Sequence, residues 1–221
     1  WQQGLRRYGF HGLSYEAILH ALPRVAGSIP ERLIVAHLGN GASMAAIRGG
    51  RCVASTMGFS TLDGLMMGTR PGGIDPGLLL HLLHGGMSVA RLEKLLYHES
   101  GLQGVSGLTS DMKTLLGSSD DSAKLAVAMY CYRATRELGS LAASLGGVDA
   151  LVFTGGVGEN AAPVRARICE AAAWLGLDFD ATANAKGGPL VSKAGSRLAA
   201  WIVFTDEELT IARHTRQLLS A

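Results

Sequence analysis

Charged side chains are scarce in this chain: Asp, Glu, Lys and Arg make up 17% of its 221 residues, and the formal net charge is +2. Lys and Arg are scattered, so no basic stripe awaits a nucleic-acid backbone and no acidic tail is present. Nucleic acid is therefore not an expected partner. Cysteine is also rare. Cys52, Cys131 and Cys169 are odd in number, lie in apolar surroundings and lack CxxC spacing. This argues against a disulfide framework or zinc site and predicts buried thiols in a reducing, cytoplasmic compartment. No apolar run approaches the roughly 20 residues of a spanning helix. The opening WQQGLRRYGFHG has no apolar signal-peptide core. No membrane partner is expected, and the absence of an initiator Met predicts that the chain begins inside a longer protein.

What the chain has in quantity is glycine. Thirty are present, with no repeat period or low-complexity tract to account for them, so they belong to turns and loops. Two glycine-rich stretches each follow a short apolar run that reads as a buried strand. HLGNGAS (His37 to Ser43) follows Leu33 to Ala36, and TGGVGEN (Thr154 to Asn160) follows Ala150 to Phe153. Glycines at a strand end let backbone N–H groups approach phosphate oxygens with no Cβ in the way, so two such loops predict a nucleotide site.

The remaining pattern is alternating α/β. Ser14 to Ala26 reads as a helix with Ser14 as its cap, and Ser43 to Ile47 with Cys52 to Ser55 read as a hairpin about Gly49-Gly50. Helices are predicted at Pro76 to Leu83, Ser88 to His98 and Asp120 to Leu145, the last with an apolar stripe through Leu125, Met129, Tyr132, Leu138, Leu141 and Leu145. A further helix is expected from Ala161 to Leu175, a strand from Trp201 to Phe204, and a final helix from Glu207 to Leu219. The six-glycine stretch Met57 to Gly77 is too long for an idle connection. A ligand would lie beyond the strand C-terminal ends.

Several residues allow two readings. Asn40-Gly41 suits phosphate or a strand-to-hairpin turn. Gly156, Gly158 and Ala161 fit GxGxxA with Asp178 downstream, a dinucleotide fingerprint that would make the chain a nicotinamide oxidoreductase. Against it, Glu159 would place a carboxylate beside the pyrophosphate. Arg70 can offer its planar fork to a phosphoryl group or simply be solvated. His11 suits catalysis or a loop position, and His37 a satisfied core site. Asp75-Pro76 is ordinary helix-start chemistry, as are the acidic residues after Thr205.

In order, RRYGFHG, HLGNGAS, MGFSTLDGLMMGTRPGGIDP, SGLQGVSGLTSDMK, LVFTGGVGEN and FTDEELTIAR resemble the acetate kinase family over essentially the whole chain. The resemblance implies an α/β fold of the ribonuclease H-like kind shared by sugar kinases, Hsp70 and actin. Residues 1–204 would be the C-terminal nucleotide-binding domain, and 205–221 a terminal helix that packs on an N-terminal domain outside this chain. The implied reaction is reversible transfer of the ATP γ-phosphoryl group to acetate, giving acetyl phosphate and ADP, with activity in the full-length protein. A noncatalytic nucleotide-binding or dimerisation module is the alternative.

By the same resemblance, His37, Leu38, Gly39, Asn40 and Gly41 would line the ATP site with Asp111, Met112 and Lys113 and with Gly156, Val157, Gly158, Glu159 and Asn160. His11 and Arg70 would stabilise the transferring phosphoryl group, Phe10 and Thr61 would border the acyl pocket, and Glu207 would bind Mg²⁺ or Mn²⁺. Implied partners are ATP, acetate or another short-chain carboxylate, and a second copy in a homodimer. The chain departs from the family pattern in three places. Tyr15 stands where HGTSH has its second histidine, Lys113 stands where many members have arginine, and Thr61 replaces the proline of MGFTPLEG.

Overall fold

A computed structural model describes residues 2–220, so Trp1 and Ala221, the outer ends of the expected domain division, lie outside the described residues. The chain opens with α1 (Gly12–Ala26), then β1 (Arg32–Leu38), β2 (Ala42–Arg48) and β3 (Arg51–Ser55). After a long loop come α2 (Pro76–His84), α3 (Val89–His98), α4 (Gly101–Ser106), α5 (Met112–Gly117) and α6 (Asp121–Leu145). The second half runs β4 (Ala150–Thr154), α7 (Gly155–Asn160), α8 (Ala162–Ala171), α9 (Ala181–Ala185), β5 (Ala199–Ile202) and α10 (Glu207–Leu219).

One five-stranded sheet has the order β3-β2-β1-β4-β5. The predicted hairpin is the antiparallel pair β2–β3, β1 pairs antiparallel with β2 on its other side, and β1–β4 and β4–β5 are parallel. Side chains alternate across a strand, and here both faces are covered. Ile34, Ala36 and Leu38 of β1 face a core built largely from α4, α5, α6 and α8. Leu33 and Val35 face the opposite way, onto Tyr15, Ile18 and Leu22 of α1. That parity places His37, two residues beyond Val35, on the α1 side. It does the same for Ser43, which precedes Ala45 on β2 and is the direct cross-strand partner of His37.

Five expectations change. TGGVGEN is not a loop: Gly155–Asn160 coil at once into α7, because Gly155 at φ +78° turns the chain from strand to helix at a point where a Cβ would meet the Leu38 carbonyl oxygen at 2.8 Å. The expected helix from Ala161 divides into α8 and a short 3₁₀ turn at Ala173–Leu175. Along α6 the exposed residues include Leu125, Met129 and Tyr132, while Ala123, Ala126, Val127, Tyr130, Cys131 and Ala134 are buried with Leu138, Leu141 and Leu145. Both faces of this helix are apolar, and the face of smaller residues allows the closer approach to the sheet. Cys52 is exposed on edge strand β3, so only two of the three thiols are buried. Finally, the last strand ends at Ile202, and Phe204 is exposed.

Candidate active site

The ends of β1 and β4 open onto a cavity of about 740 Å³ lined by Gly39, Asn40, Leu102, Ser110, Asp111, Met112, Lys113, Leu116, Gly156, Val157, Asn160, Ala161 and Pro163. Three segments far apart in sequence thus meet at one cavity. Its size suits a ligand of nucleotide dimensions. Its chemistry is divided: Leu102, Met112, Leu116, Val157 and Pro163 supply apolar wall, and the Gly39-Asn40 turn supplies backbone polar groups. Asp111 caps α5 by accepting from the Thr114 N–H at 2.8 Å and the Thr114 hydroxyl at 2.6 Å. Those bonds hold its carboxyl below the usual carboxylate range.

His37, Leu38, Gly41, Gly158 and Glu159 stand outside that lining. Leu38 is buried in the core and Gly158 lies within α7. Glu159 turns its carboxylate back into the fold, where Oε1 accepts from the N–H groups of Gly155 (2.9 Å) and Thr205 (3.0 Å) and from the Thr154 hydroxyl (3.1 Å). It ties the start of α7 to the chain entering α10. Arg165, buried with no carboxylate partner among the described residues, donates to the Gly158 and Glu159 carbonyls at 2.9 and 2.8 Å and to Asn184 Oδ1 at 2.8 Å. It satisfies carbonyls at the end of α7 that would otherwise be orphaned.

Beside the cavity, beyond Gly41, a second cluster forms. His11 is the one described non-glycine residue with positive φ, 63°, and this left-handed turn at the N-cap of α1 swings its ring against the sheet. His11 Nδ1 lies 2.8 Å from Ser43 Oγ, and Ser43 also hydrogen-bonds the buried Tyr15 hydroxyl. Ser14 is not the cap. Fully buried inside α1, it places Oγ 2.8 Å from His37 Nδ1. Burial first, then the neighbouring His37, lowers the His11 pKa to about 4, with Glu207 opposing and Arg70 assisting. Burial lowers His37 too. Both rings are neutral at pH 7.

Arg70 reaches the same point from the long loop. That loop is fastened: the Gly68 N–H donates to the Asn40 carbonyl at 2.9 Å, and the Thr69 hydroxyl donates to the Tyr97 carbonyl at 2.8 Å. Arg70 Nη1 donates to the Thr61 carbonyl at 2.9 Å. A Cβ on Gly41 would lie 2.7 Å from Arg70 Nη2 and 3.4 Å from His11 Nε2, so guanidinium and imidazole converge over a glycine that leaves them room. Phe10 packs against the main core, half-buried. Glu207 opens α10, close enough to His11 to act on its charge. Two residues earlier, the buried Thr205 hydroxyl has no partner among the described residues.

Ser43 and Arg165 are not among the expected site residues, Tyr15 stands out in the sequence only as a departure from the HGTSH pattern, and Ser14, expected to cap α1, instead partners His37. The strand parity that seats His37 and Ser43 together was readable, but only once β1 and β2 were paired in register. Nothing local marked Arg165, an arginine within an ordinary helix.

The mixed α/β fold on a five-stranded sheet, superposing on solved acetate and propionate kinases, is that of a ribonuclease H-like domain of the sugar kinase, Hsp70 and actin superfamily. More narrowly, the chain belongs to the acetokinase family, whose profile matches residues 1–213. It is 57% identical over 222 residues to an acetate kinase of Rhodopseudomonas palustris, covering 98% of this chain and 56% of that one. The crystal structure of Porphyromonas gingivalis acetate kinase superposes with a TM-score of 0.93 at 40% identity, over 99% of this chain and 57% of that one. A propionate kinase from Francisella tularensis gives 0.90 at 35%, over 96% and 56%. The chain therefore spans little more than half the length of these relatives. Among the described residues, no helix is long and apolar enough to cross a membrane.

Proposed function

We propose that this chain is the nucleotide-binding half of an acetate kinase that transfers the ATP γ-phosphoryl group reversibly to acetate or a similar short carboxylate. The observation that carries this reading is the convergence of Arg70 Nη2 and His11 Nε2 over Gly41, next to the Asn40 end of a nucleotide-sized cavity. Adenosine would lie against Leu102, Leu116 and Pro163, with the phosphates running toward Gly39–Gly41 and Gly156. Phosphoryl transfer needs little covalent help from protein. It needs alignment and favourable electrostatics around the equatorial oxygens, which Arg70 supplies as a fixed cation and His11 as a neutral donor. The attacking carboxylate is already ionised at neutral pH, so no strong base is required.

The residues fit a divalent cation of the Mg²⁺ type. Such an ion takes one or two protein oxygens and otherwise phosphate and water, which the Glu207 carboxylate and the hydroxyl of Thr205, unpartnered among the described residues and two residues before it in the chain, would supply. When bound, the ion would neutralise phosphate charge during transfer. Thr61, through its carbonyl bond to Arg70, and Phe10 would bound the acyl side.

The test has two arms. Calorimetry should show the 221-residue chain binding ATP in preference to NADH. Hydroxamate trapping of acyl phosphate should show no robust turnover by this chain and efficient turnover by a protein carrying the rest of its relatives' length. Tight NADH binding without ATP binding would overturn the reading, as would an inactive longer protein.

A further inference from the structure

We propose that Tyr15 and Ser43 are positioning residues that lock His11 as its Nε2–H tautomer, so that the ring can only donate toward the transferring phosphoryl group. This rests on the kinase reading above for the role, although the tautomer itself can be read without it. A neutral imidazole has one N–H and one lone pair, and whichever atom Nδ1 meets decides which of them Nε2 presents. Nδ1 of His11 meets Ser43 Oγ at 2.8 Å, and the same oxygen meets the Tyr15 hydroxyl.

A serine hydroxyl has one proton and two lone pairs, so three arrangements are conceivable. The one in which Ser43 accepts from both Nδ1–H and Tyr15 O–H strands its own buried proton, since Ser43 Oγ meets no third partner among the described residues, and two directions of the chain remain. In the first, Tyr15 O–H donates to Ser43, Ser43 O–H donates to Nδ1, and Nε2 carries the ring proton. In the second, Nδ1–H donates to Ser43 and Ser43 donates to Tyr15, which leaves the phenolic proton needing another acceptor. Tyr15 is buried, and its hydroxyl meets no second partner among the described residues. A stranded buried donor carries its full desolvation penalty, so the first direction prevails. It also suits the anion, because the second direction would turn a lone pair, not a proton, toward phosphate oxygens. Nε2 lies at the position over Gly41 where Arg70 arrives. The phenol thus acts at one remove from the reaction, through serine and imidazole.

The experiment labels histidine with ¹⁵N and reads the His11 tautomer at neutral pH from long-range ¹H–¹⁵N correlations in the 221-residue chain, with His37→Gln used for assignment. We expect Nε2–H in the unsubstituted chain and a mixture of tautomers in Tyr15→Phe and Ser43→Ala. In the longer protein, Tyr15→Phe should lower kcat about tenfold, the scale of one hydrogen bond, with KM for ATP little changed. An Nδ1–H ring in the unsubstituted chain, or an unaltered tautomer in a folded Tyr15→Phe, would overturn the proposal. If the substituted chains fail to fold, the unsubstituted spectrum alone decides. Absence of phosphoryl transfer by the unsubstituted longer protein would refute the kinase reading instead, with the tautomer still on record.

Discussion

The rings of His11 and His37 stack with centroids 4.2 Å apart and planes 20° from parallel. Each is held at Nδ1 by a serine, Ser43 and Ser14 respectively. A protonated ring in this stack would face a second ring as well as the loss of water, so both remain neutral. This leaves Arg70, whose Nη2 converges with His11 Nε2 over Gly41, as the fixed positive charge at that point.

The neutrality has a pH signature. An unfolded histidine titrates near 6.5, whereas His11 in the fold titrates at about 4. Between those values the unfolded chain binds a proton that the folded chain refuses, so stability is complete above about 6.5 and declines as pH falls toward 4. NMR titration of His11 should give a midpoint near 4, and His11→Gln should reduce the slope of the stability profile in that window without abolishing it, because His37 is lowered by burial as well. A midpoint at 6.5 would show that the ring is solvated.

Arg70→Ala in the longer protein should lower kcat by roughly 10² to 10³, the scale for a preorganised electrostatic donor, with a smaller effect on ATP affinity. Gly41→Ala is the more discriminating change. Its new methyl would sit 2.7 Å from Arg70 Nη2, the end of a flexible side chain, so the fold should tolerate it while the guanidinium is pushed aside. We expect a Tm close to wild type with kcat reduced at least about tenfold. Unchanged kcat in both variants would remove Arg70 from the reaction.

Thr61→Pro should alter the ratio of kcat/KM for acetate and propionate. One methylene in an apolar pocket is worth only about 1 to 3 kcal/mol, so a hydroxyl at the wall, or a shift of the Thr61 carbonyl that holds Arg70, is enough to change the balance. Identical ratios in the two proteins would place Thr61 away from the acyl group.

Helix α10 should exchange its amide hydrogens much faster than α6 in the 221-residue chain. It lies along α1, joined by His214 Nε2 to Glu16 Oε1 at 2.7 Å, yet buries only Thr210 and leaves Leu209, Ile211, Leu218 and Leu219 exposed. By contrast α6 buries ten residues against the sheet, and protection follows burial of this kind. Equal protection would mean that α10 is complete without a further partner.

What could be read from the residues alone was local. Asp75 accepting from Gly77 N–H, Asp206 accepting from Leu209 N–H, the β2–β3 hairpin and the bounds of α10 all follow from side chains acting within a few positions of themselves. The family likeness likewise lay in short motifs that survive intact along the chain, and these named the three segments that meet at the cavity. Tertiary structure decided the rest, because the deciding partners are distant in sequence. The apolar periodicity of α6 allowed two buried faces, and only the sheet's demand for close approach chose the small one. Gly155 became the first residue of a helix because Leu38 stands against it. Ser14, Tyr15 and Ser43 acquired their places around two histidines only when β1 paired with β2 and α1 closed over that face, since a hydroxyl's partner is set by where packing leaves it and not by its neighbours along the chain.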